Sequence, residues 1–342
     1  MRLKRSWPLI VLCLALAGGC GRAGEGNARV VVPQGASLRA AADSLERHRV
    51  IGNSTLFRAY AMLRGGDRSI QAGTYVLRRG ASWGSILAAL REGRGIVASF
   101  TIPEGYSLAQ AVPVIARALG VPEDSVIAAV RDTALLRRLD VPTPTIEGYL
   151  FPDTYTFPEG TSARQAVLAT VERFEEVWRP EWNLRLDTTA MSRHDAVTLA
   201  SIVEREARLA QERPVIAAVY LNRLRDGMLL QADPTVQYAR GRHTNRLLYR
   251  DLAVESPYNT YRVKGLPPGP IASPGEASLR ASVYPANVPY KFFVAYPDGH
   301  HEFRRSYPEH LVAVRAARQA WDVVARQRAA ATARAQAAKG AK

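Results

Sequence analysis

Twice in the first third of the chain, a short β-branched or apolar run stops at a Pro-x-Gly turn and a serine then opens a helical pattern. The first copy is Ala28-Arg-Val-Val-Val-Pro33, which turns through Gly35 and leads to Ser37 as the cap of a helix to Arg47. The second is Ala98-Ser-Phe-Thr-Ile102, which turns at Pro103-Glu-Gly105. There Ser107 opens a helix whose apolar residues Leu108, Val112, Ile115 and Leu119 recur at helical spacing. Proline lacks the ladder N–H and glycine reaches angles closed to other residues, so each copy reads as strand, tight turn and helix. Between the copies the pattern predicts a helix over 54–64, a strand over 71–77 and a helix over 82–91. Such alternation restricts the chain to an α+β fold, with small βα modules leading into a mixed α/β domain.

The paired units resemble LysM-type wall-binding modules and define a LysM-like N-terminal region over 28–145. From residue 146 the texture changes. Glu147-Gly-Tyr-Leu-Phe-Pro-Asp-Thr-Tyr-Thr-Phe157 is aromatic and broken by proline, and a helix over 162–178 follows. Helices over 193–211 and 213–225 come next, with Pro214 in the first turn of the second, where its missing N–H costs nothing. After Gly227 periodicity gives way to loops until about residue 284. A hairpin then runs from Lys291 to Arg304 through Asp298-Gly299, and a final helix starts near Pro308. The main domain therefore spans 146–327, and 328–342 is an Ala-Arg-Lys tail, disordered or a solvated helix extension.

Residues 1–20 have the layout of an export signal. Arg2, Lys4 and Arg5 precede an uncharged run from Trp7 to Gly19, followed by Cys20. The run is shorter than the roughly 20 residues that cross a bilayer, which favours a cleaved leader over an uncleaved signal anchor. Ala17-Gly-Gly-Cys20 resembles a lipobox and makes Cys20 a candidate lipidation site, although Leu16 stands one place too far out. Residues 21–27 form a linker. Either form of the leader places the body outside the cytoplasm, tethered to a membrane. Only Cys13 and Cys20 are present, so the body has no thiol for a disulfide, a metal or a nucleophile. The formal charge of +15 would suit nucleic acid, anionic lipid or an acidic polymer, and an exported body excludes the first as a regular partner.

Chemistry centres on Ala200-Ser-Ile-Val-Glu-Arg-Glu-Ala207. At 100° per residue Glu204 falls beside Val197, Ala200 and Ala207, at the edge of the apolar arc. Poor solvation of a carboxyl group disfavours its ionised form, and a general acid needs the protonated one. Periodicity equally allows a surface ion pair from Glu204 to Arg208, and Glu206, nearly opposite between Leu199 and Ile202, is not separated from Glu204 by spacing. Asp153 and Asp233 each flank a proline in a turn, as Asx-turn residues or as a second carboxylate. His243, His300 and His301 lack the cysteine or carboxylate spacing of a metal site, and the sequence implies no cofactor.

Leu199-Ala-Ser-Ile-Val-Glu-Arg-Glu206 is one of several blocks that together resemble the endolytic murein transglycosylase family. The others include Glu147-Gly-Tyr-Leu-Phe-Pro-Asp-Thr-Tyr155, Gly227-Met-Leu-Leu-Gln231, Ala232-Asp-Pro-Thr-Val236, Ser256-Pro-Tyr-Asn-Thr-Tyr261 and Gly265-Leu-Pro-Pro-Gly-Pro-Ile271. Their order holds from about residue 30 to 320. The resemblance implies that Glu204 is the catalytic acid of a lytic transglycosylase that opens the β-1,4 bond after N-acetylmuramic acid without water, making 146–327 the catalytic domain. It implies peptidoglycan strands as substrate, peptidoglycan synthases as partners, and a body anchored by its N-terminus at the inner membrane and facing the periplasm. Gln231, Tyr258, Asn259 and Tyr261 are the candidate sugar-binding residues, since rings stack on sugar faces and amides bond acetamido groups. Two other readings remain open on the residues alone. One is a non-catalytic wall-binding scaffold, and the other is a muramidase-type hydrolase that uses the same acid.

Overall fold

The computed structural model describes residues 26–340 apart from 34, 66–69, 94, 96, 190 and 242–246. Cys13, Cys20 and His243 therefore lie outside the described residues. The described residues form two compact units, one within 1–99 with 156–161 and the other within 100–155 with 162–342.

In the first unit β1 (Asn27–Val32) alternates exposed and buried side chains, as a strand with one wet face must. Helices α1 (Leu38–Arg47) and α2 (Ser54–Leu63) follow, each opened by a side-chain cap, Ser37 on Ala40 N and Asn53 on Leu56 N. Strand β2 (Gly73–Arg78) returns antiparallel to β1, with Asn27 opposite Arg78 and Val32 opposite Gly73. Helix α3 (Trp83–Glu92) ends at the left-handed Gly93, and Val30, Leu45, Phe57, Tyr75, Ile86 and Leu90 fill the core. Strand β3 (Val97–Thr101) leads out of this unit.

The second unit begins with the second strand, turn and helix. Helix α4 (Leu108–Leu119) packs with α5 (Glu123–Val130), which α6 (Thr133–Leu139) follows. Strand β4 (Thr154–Pro158) pairs with β3. Helices α7 (Ala163–Val177), α8 (Pro180–Leu186), α9 (Arg193–Glu206) and α10 (Arg213–Arg225) come next. Short α11 (Asp233–Ala239) and α12 (Glu276–Val283) lie within the stretch that lacks sequence periodicity. Strands β5 (Phe292–Ala295) and β6 (His301–Arg304) form the expected hairpin, closed by Asp298-Gly299. Helix α13 (Tyr307–Gly340) continues through the Ala-rich tail.

The α+β class agrees with expectation. The two compact units divide between Ser99 and Phe100. The reason is that the Pro103-Glu-Gly105 turn bonds to the distal half of the chain, Gly105 N donating to Ser273 O at 2.9 Å and Ser273 N to Tyr106 O at 2.7 Å. Moreover, the helix expected over 193–211 stops at Glu206, where Ala207 turns extended, and a 3-10 turn at Ala210–Glu212 precedes α10.

The Glu147-Gly-Tyr segment locks these parts together. The buried Glu147 carboxylate accepts Leu108 N at 3.0 and 3.1 Å, capping α4 from 39 residues away. Burial pushes this carboxyl up to about 7, against the lowering effect of the Leu108 and Tyr238 bonds. Gly148 has φ +84, and a Cβ there would stand 2.3 Å from Pro270 Cβ.

Two outcomes are expected. Gly148→Ala will destabilise the fold by about 2–4 kcal/mol, combining a strained left-handed residue with overpacking, as a urea midpoint will show. The folded state prefers protonated Glu147, so its stabilisation is complete below the ordinary value of 4.5 and is lost as the pH rises through about 7. At 1.36 kcal/mol per pKa unit this is about 3 kcal/mol. Glu147→Gln will flatten the pH dependence of stability in that window relative to wild type, and parallel curves for the two proteins would exclude it.

Candidate active site

Helix α9 is built to hold a polar group at one end of a dry rod. Ser192 and Asp195 form a capping box at its start, and every residue from Ala196 to Val203 is buried. Leu199, Ile202 and Val203 share a core with Ile216, Ala217 and Tyr220 of α10 and Ala281 of α12. Each large aliphatic side chain buried in this way contributes about 1.5–3 kcal/mol, which fixes the three helices around the last turn of α9.

Glu204 sits in that last turn with its side chain 6% exposed. Its Oε2 accepts Ser278 Oγ at 2.7 Å and Gly275 N at 3.1 Å, both from the start of α12, and its Oε1 accepts Arg213 Nη2 at 3.1 Å. The helix break after Glu206 explains the partner. Arg208 falls outside α9, so the i,i+4 pair does not form, and Arg213 at the start of α10 takes its place. Arg213 Nε also donates to Ser278 Oγ at 3.0 Å, closing a ring of three side chains.

A second carboxylate meets this ring, and it is neither Asp153 nor Asp233. Asp153 pairs with Arg173 at 3.1 Å and caps Thr154 N, while Asp233 accepts Tyr261 Oη at 2.6 Å. The carboxylate beside Glu204 is Glu104, from the Pro103-Glu-Gly105 turn, whose Oε2 lies 4.0 Å from Arg213 Nη2. Desolvation and then the charge of Glu204 raise the Glu104 carboxyl, and Arg213 opposes them. Sequence reasoning passed over Glu104 because a turn glutamate carries no periodicity. The signal present was the repeat itself, with Glu in the second copy where the first has Gln34.

A cavity of about 480 Å³ opens next to this ring, lined among others by Gly105, Gln110, Glu147, Arg205, Gln237 and Tyr238. A Cβ on Gly105 would lie 3.4 Å from Arg205 Cδ and 3.9 Å from Glu204 Cγ, so Gly105 borders both side chains at the edge of the cavity. A larger cavity of about 990 Å³ surrounds Arg193 and His194 at the opposite end of α9, about 15 Å along the helix from Glu204. The smaller cavity is the one that comes close to Glu204, through Gly105 and Arg205.

The other candidate residues group elsewhere. Tyr258 packs on Tyr238 with ring centroids 4.8 Å apart, which brings it to the cavity wall. Gln231 is exposed, with φ +50. Asn259 is fully buried, its amide donating to Leu252 O and Val254 O and its oxygen accepting Tyr261 N. With both ends of its amide committed, it staples its own loop and has nothing to offer a sugar. Tyr261 and Asp233 gather on the side of Glu206, whose carboxyl accepts Tyr220 Oη at 2.9 Å and is pushed up to about 7, chiefly by burial. His301 donates its backbone N to Glu212 at 2.9 Å and pairs with it through the ring at 2.7 Å, and His300 pairs with Asp298. Both histidines brace the β5–β6 hairpin.

Residues 30–316 match the YceG-like family. A Bacillus subtilis (strain 168) protein named endolytic murein transglycosylase is 33% identical over 294 residues, covering 82% of this chain and 81% of its own length. A Streptococcus pneumoniae protein of the same name is 27% identical over 321 residues, covering 82% of this chain and 58% of its own length. The crystal structure of a yceG-like protein from Listeria monocytogenes superposes with a TM-score of 0.62 at 33% identity, covering 83% of this chain and 97% of that one. The chain belongs to the YceG-like family.

Proposed function

We propose that this chain is an endolytic peptidoglycan lytic transglycosylase and that Glu204 is its acid. The observation that carries the assignment of the residue is the fixed, largely desolvated carboxyl at the end of α9, beside a cavity of sugar-binding size. The protein relatives named endolytic murein transglycosylase support the reaction.

In this reading Glu204 gives its proton to the glycosidic oxygen, the C1–O4 bond breaks, and the electron pair leaves with O4. The resulting carboxylate takes the proton of the muramoyl 6-hydroxyl, whose oxygen closes on C1 to give a 1,6-anhydro end. One carboxyl serves both steps, and the substrate supplies the nucleophile that a second carboxylate provides in a hydrolase. Tyr238 backed by Tyr258 offers a ring for a sugar face, and Gln110, Gln237 and the exposed Gln231 offer amides for acetamido groups. Tyr261 and Asn259 shape the loop behind them.

The layout of residues 1–20 supports an N-terminal anchor in the cell membrane, with lipid on Cys20 or an uncleaved leader, and a body on the outer side. Among the described residues no helix is long and apolar enough to cross a membrane. Placement there would bring the enzyme to nascent strands beside the synthases that make them, where it would limit strand length.

The test is digestion of purified peptidoglycan by the full chain and by Glu204→Gln, with new ends identified by mass spectrometry. Anhydro-muramoyl ends are expected from wild type, with about 10²–10⁴-fold fewer from the variant. Reducing ends would make the enzyme a hydrolase, undiminished cleavage by Glu204→Gln would move the acid to Glu206, and no cleavage by folded wild type would restore the scaffold reading.

A further inference from the structure

We infer that Glu104 is a positioning residue for this reaction, the counter-charge that holds the Arg213 guanidinium whenever Glu204 carries a proton. The inference rests on the reading of Glu204 as the acid and adds a part that the acid alone does not explain.

As the structure stands, Glu204 accepts three hydrogen bonds, one of them from a guanidinium, a setting that suits its carboxylate form. A general acid must begin its cycle protonated. Arg213 is only 13% exposed, so once Glu204 is neutral its charge needs another anion close by. Glu104 is that anion. The same nitrogen, Arg213 Nη2, lies 3.1 Å from Glu204 Oε1 and 4.0 Å from Glu104 Oε2, while Nε stays fixed on Ser278 Oγ at 3.0 Å. A small swing about that fixed point transfers the guanidinium from one carboxylate to the other.

The backbone makes room for this arrangement. A Cβ on Gly275 would stand 1.9 Å from Glu104 Oε1, so glycine there lets the Glu104 carboxyl keep this place beside the residue whose N–H serves Glu204. Four other charged groups on the packed elements have partners of their own. Arg205 donates to Gly105 O, Glu206 takes Tyr220, Glu212 takes His301, and Glu276 of α12 takes Arg179. Glu104 and Arg213 are the charges joined to Glu204 through ion pairs, Arg213 directly and Glu104 through Arg213. The upward push that Glu204 exerts on the Glu104 carboxyl is the same coupling seen from its other end.

Through the cycle the charges balance. Protonated Glu204 leaves Arg213 to Glu104. When the proton passes to O4 and the C1–O4 pair leaves with it, the new carboxylate recovers Arg213. When O6 bonds to C1 and its proton returns to Glu204, the guanidinium goes back to Glu104.

The experiment compares wild type, Glu104→Gln, Glu104→Asp, Arg213→Gln and the Glu104→Gln/Arg213→Gln double variant on soluble, uncrosslinked glycan strands between pH 5 and 9, counting anhydro ends. Glu104→Gln is expected to lower kcat about tenfold at neutral pH with KM within about threefold, and to move the alkaline limb of the rate to lower pH by about one unit. Glu104→Asp should recover part of both effects, and the double variant should be no slower than Arg213→Gln alone. Carboxyl NMR supplies a reading independent of turnover, since the Glu104 midpoint should fall when Glu204→Gln removes its neighbour's charge. A wild-type profile for Glu104→Gln, a rise in KM at unchanged kcat, additive losses in the double variant, or an unmoved Glu104 midpoint would each overturn the inference and leave the assignment of Glu204 intact. Wild type that makes no anhydro ends would overturn both.

Discussion

The second unit depends on the way one carboxylate closes three chain segments. Glu204 ends α9, Arg213 begins α10, and Gly275 and Ser278 begin α12, and all meet at the two oxygens of a single side chain. A buried charge is costly unless its lone pairs are filled, so the start of α12, with its free N–H groups, is drawn to the end of α9. The aliphatic core behind Glu204 sets the helix spacing, and the polar ring sets their register. The contacts that tie the three helices together are therefore the ones that hold Glu204, and Gly105 borders the cavity beside them.

The break after Glu206 has the same logic. Had α9 continued, Arg208 would have lain one turn beyond Glu204 as an exposed i,i+4 partner worth a few tenths of a kcal/mol. By stopping, the chain turns through its 3-10 segment and presents Arg213, which is largely desolvated and held by Ser278. The replacement exchanges a weak solvent-screened pair for a directed one. It also leaves Glu206 on a separate wall with Tyr220, where burial is the main cause that raises its carboxyl.

Much of this architecture was legible because periodicity and capping are local. The strands of the first unit, the caps Ser37, Ser82 and Ser107, Pro214 in the first turn of α10, and the Asp298-Gly299 hairpin all follow from residues within a turn of one another. What escaped was non-local. Helix α12 has no pattern to announce it, since its first residues are fixed by a carboxylate 71 residues upstream. Asn259 looks like a sugar ligand in a Tyr-Asn-Thr-Tyr loop, yet the backbone carbonyls of residues 252 and 254 claim its amide. Glu147 likewise reads as one acid in an aromatic stretch, and only the fold shows that it caps a helix 39 residues earlier.

The two strand, turn and helix units illustrate how little change separates a structural turn from a functional one. Both run from a strand through Pro-x-Gly to a serine-capped helix, and the middle residue is Gln34 in one and Glu104 in the other. In the second copy the turn is pinned by paired backbone bonds to Ser273, which sets Glu104 directly over Gly275. A neutral amide at that place could accept a bond from Arg213 but could not balance its charge. In sequence the copies therefore differ in charge at the middle of the turn, and in the second the glutamate falls where a guanidinium lies within reach of two carboxyl groups.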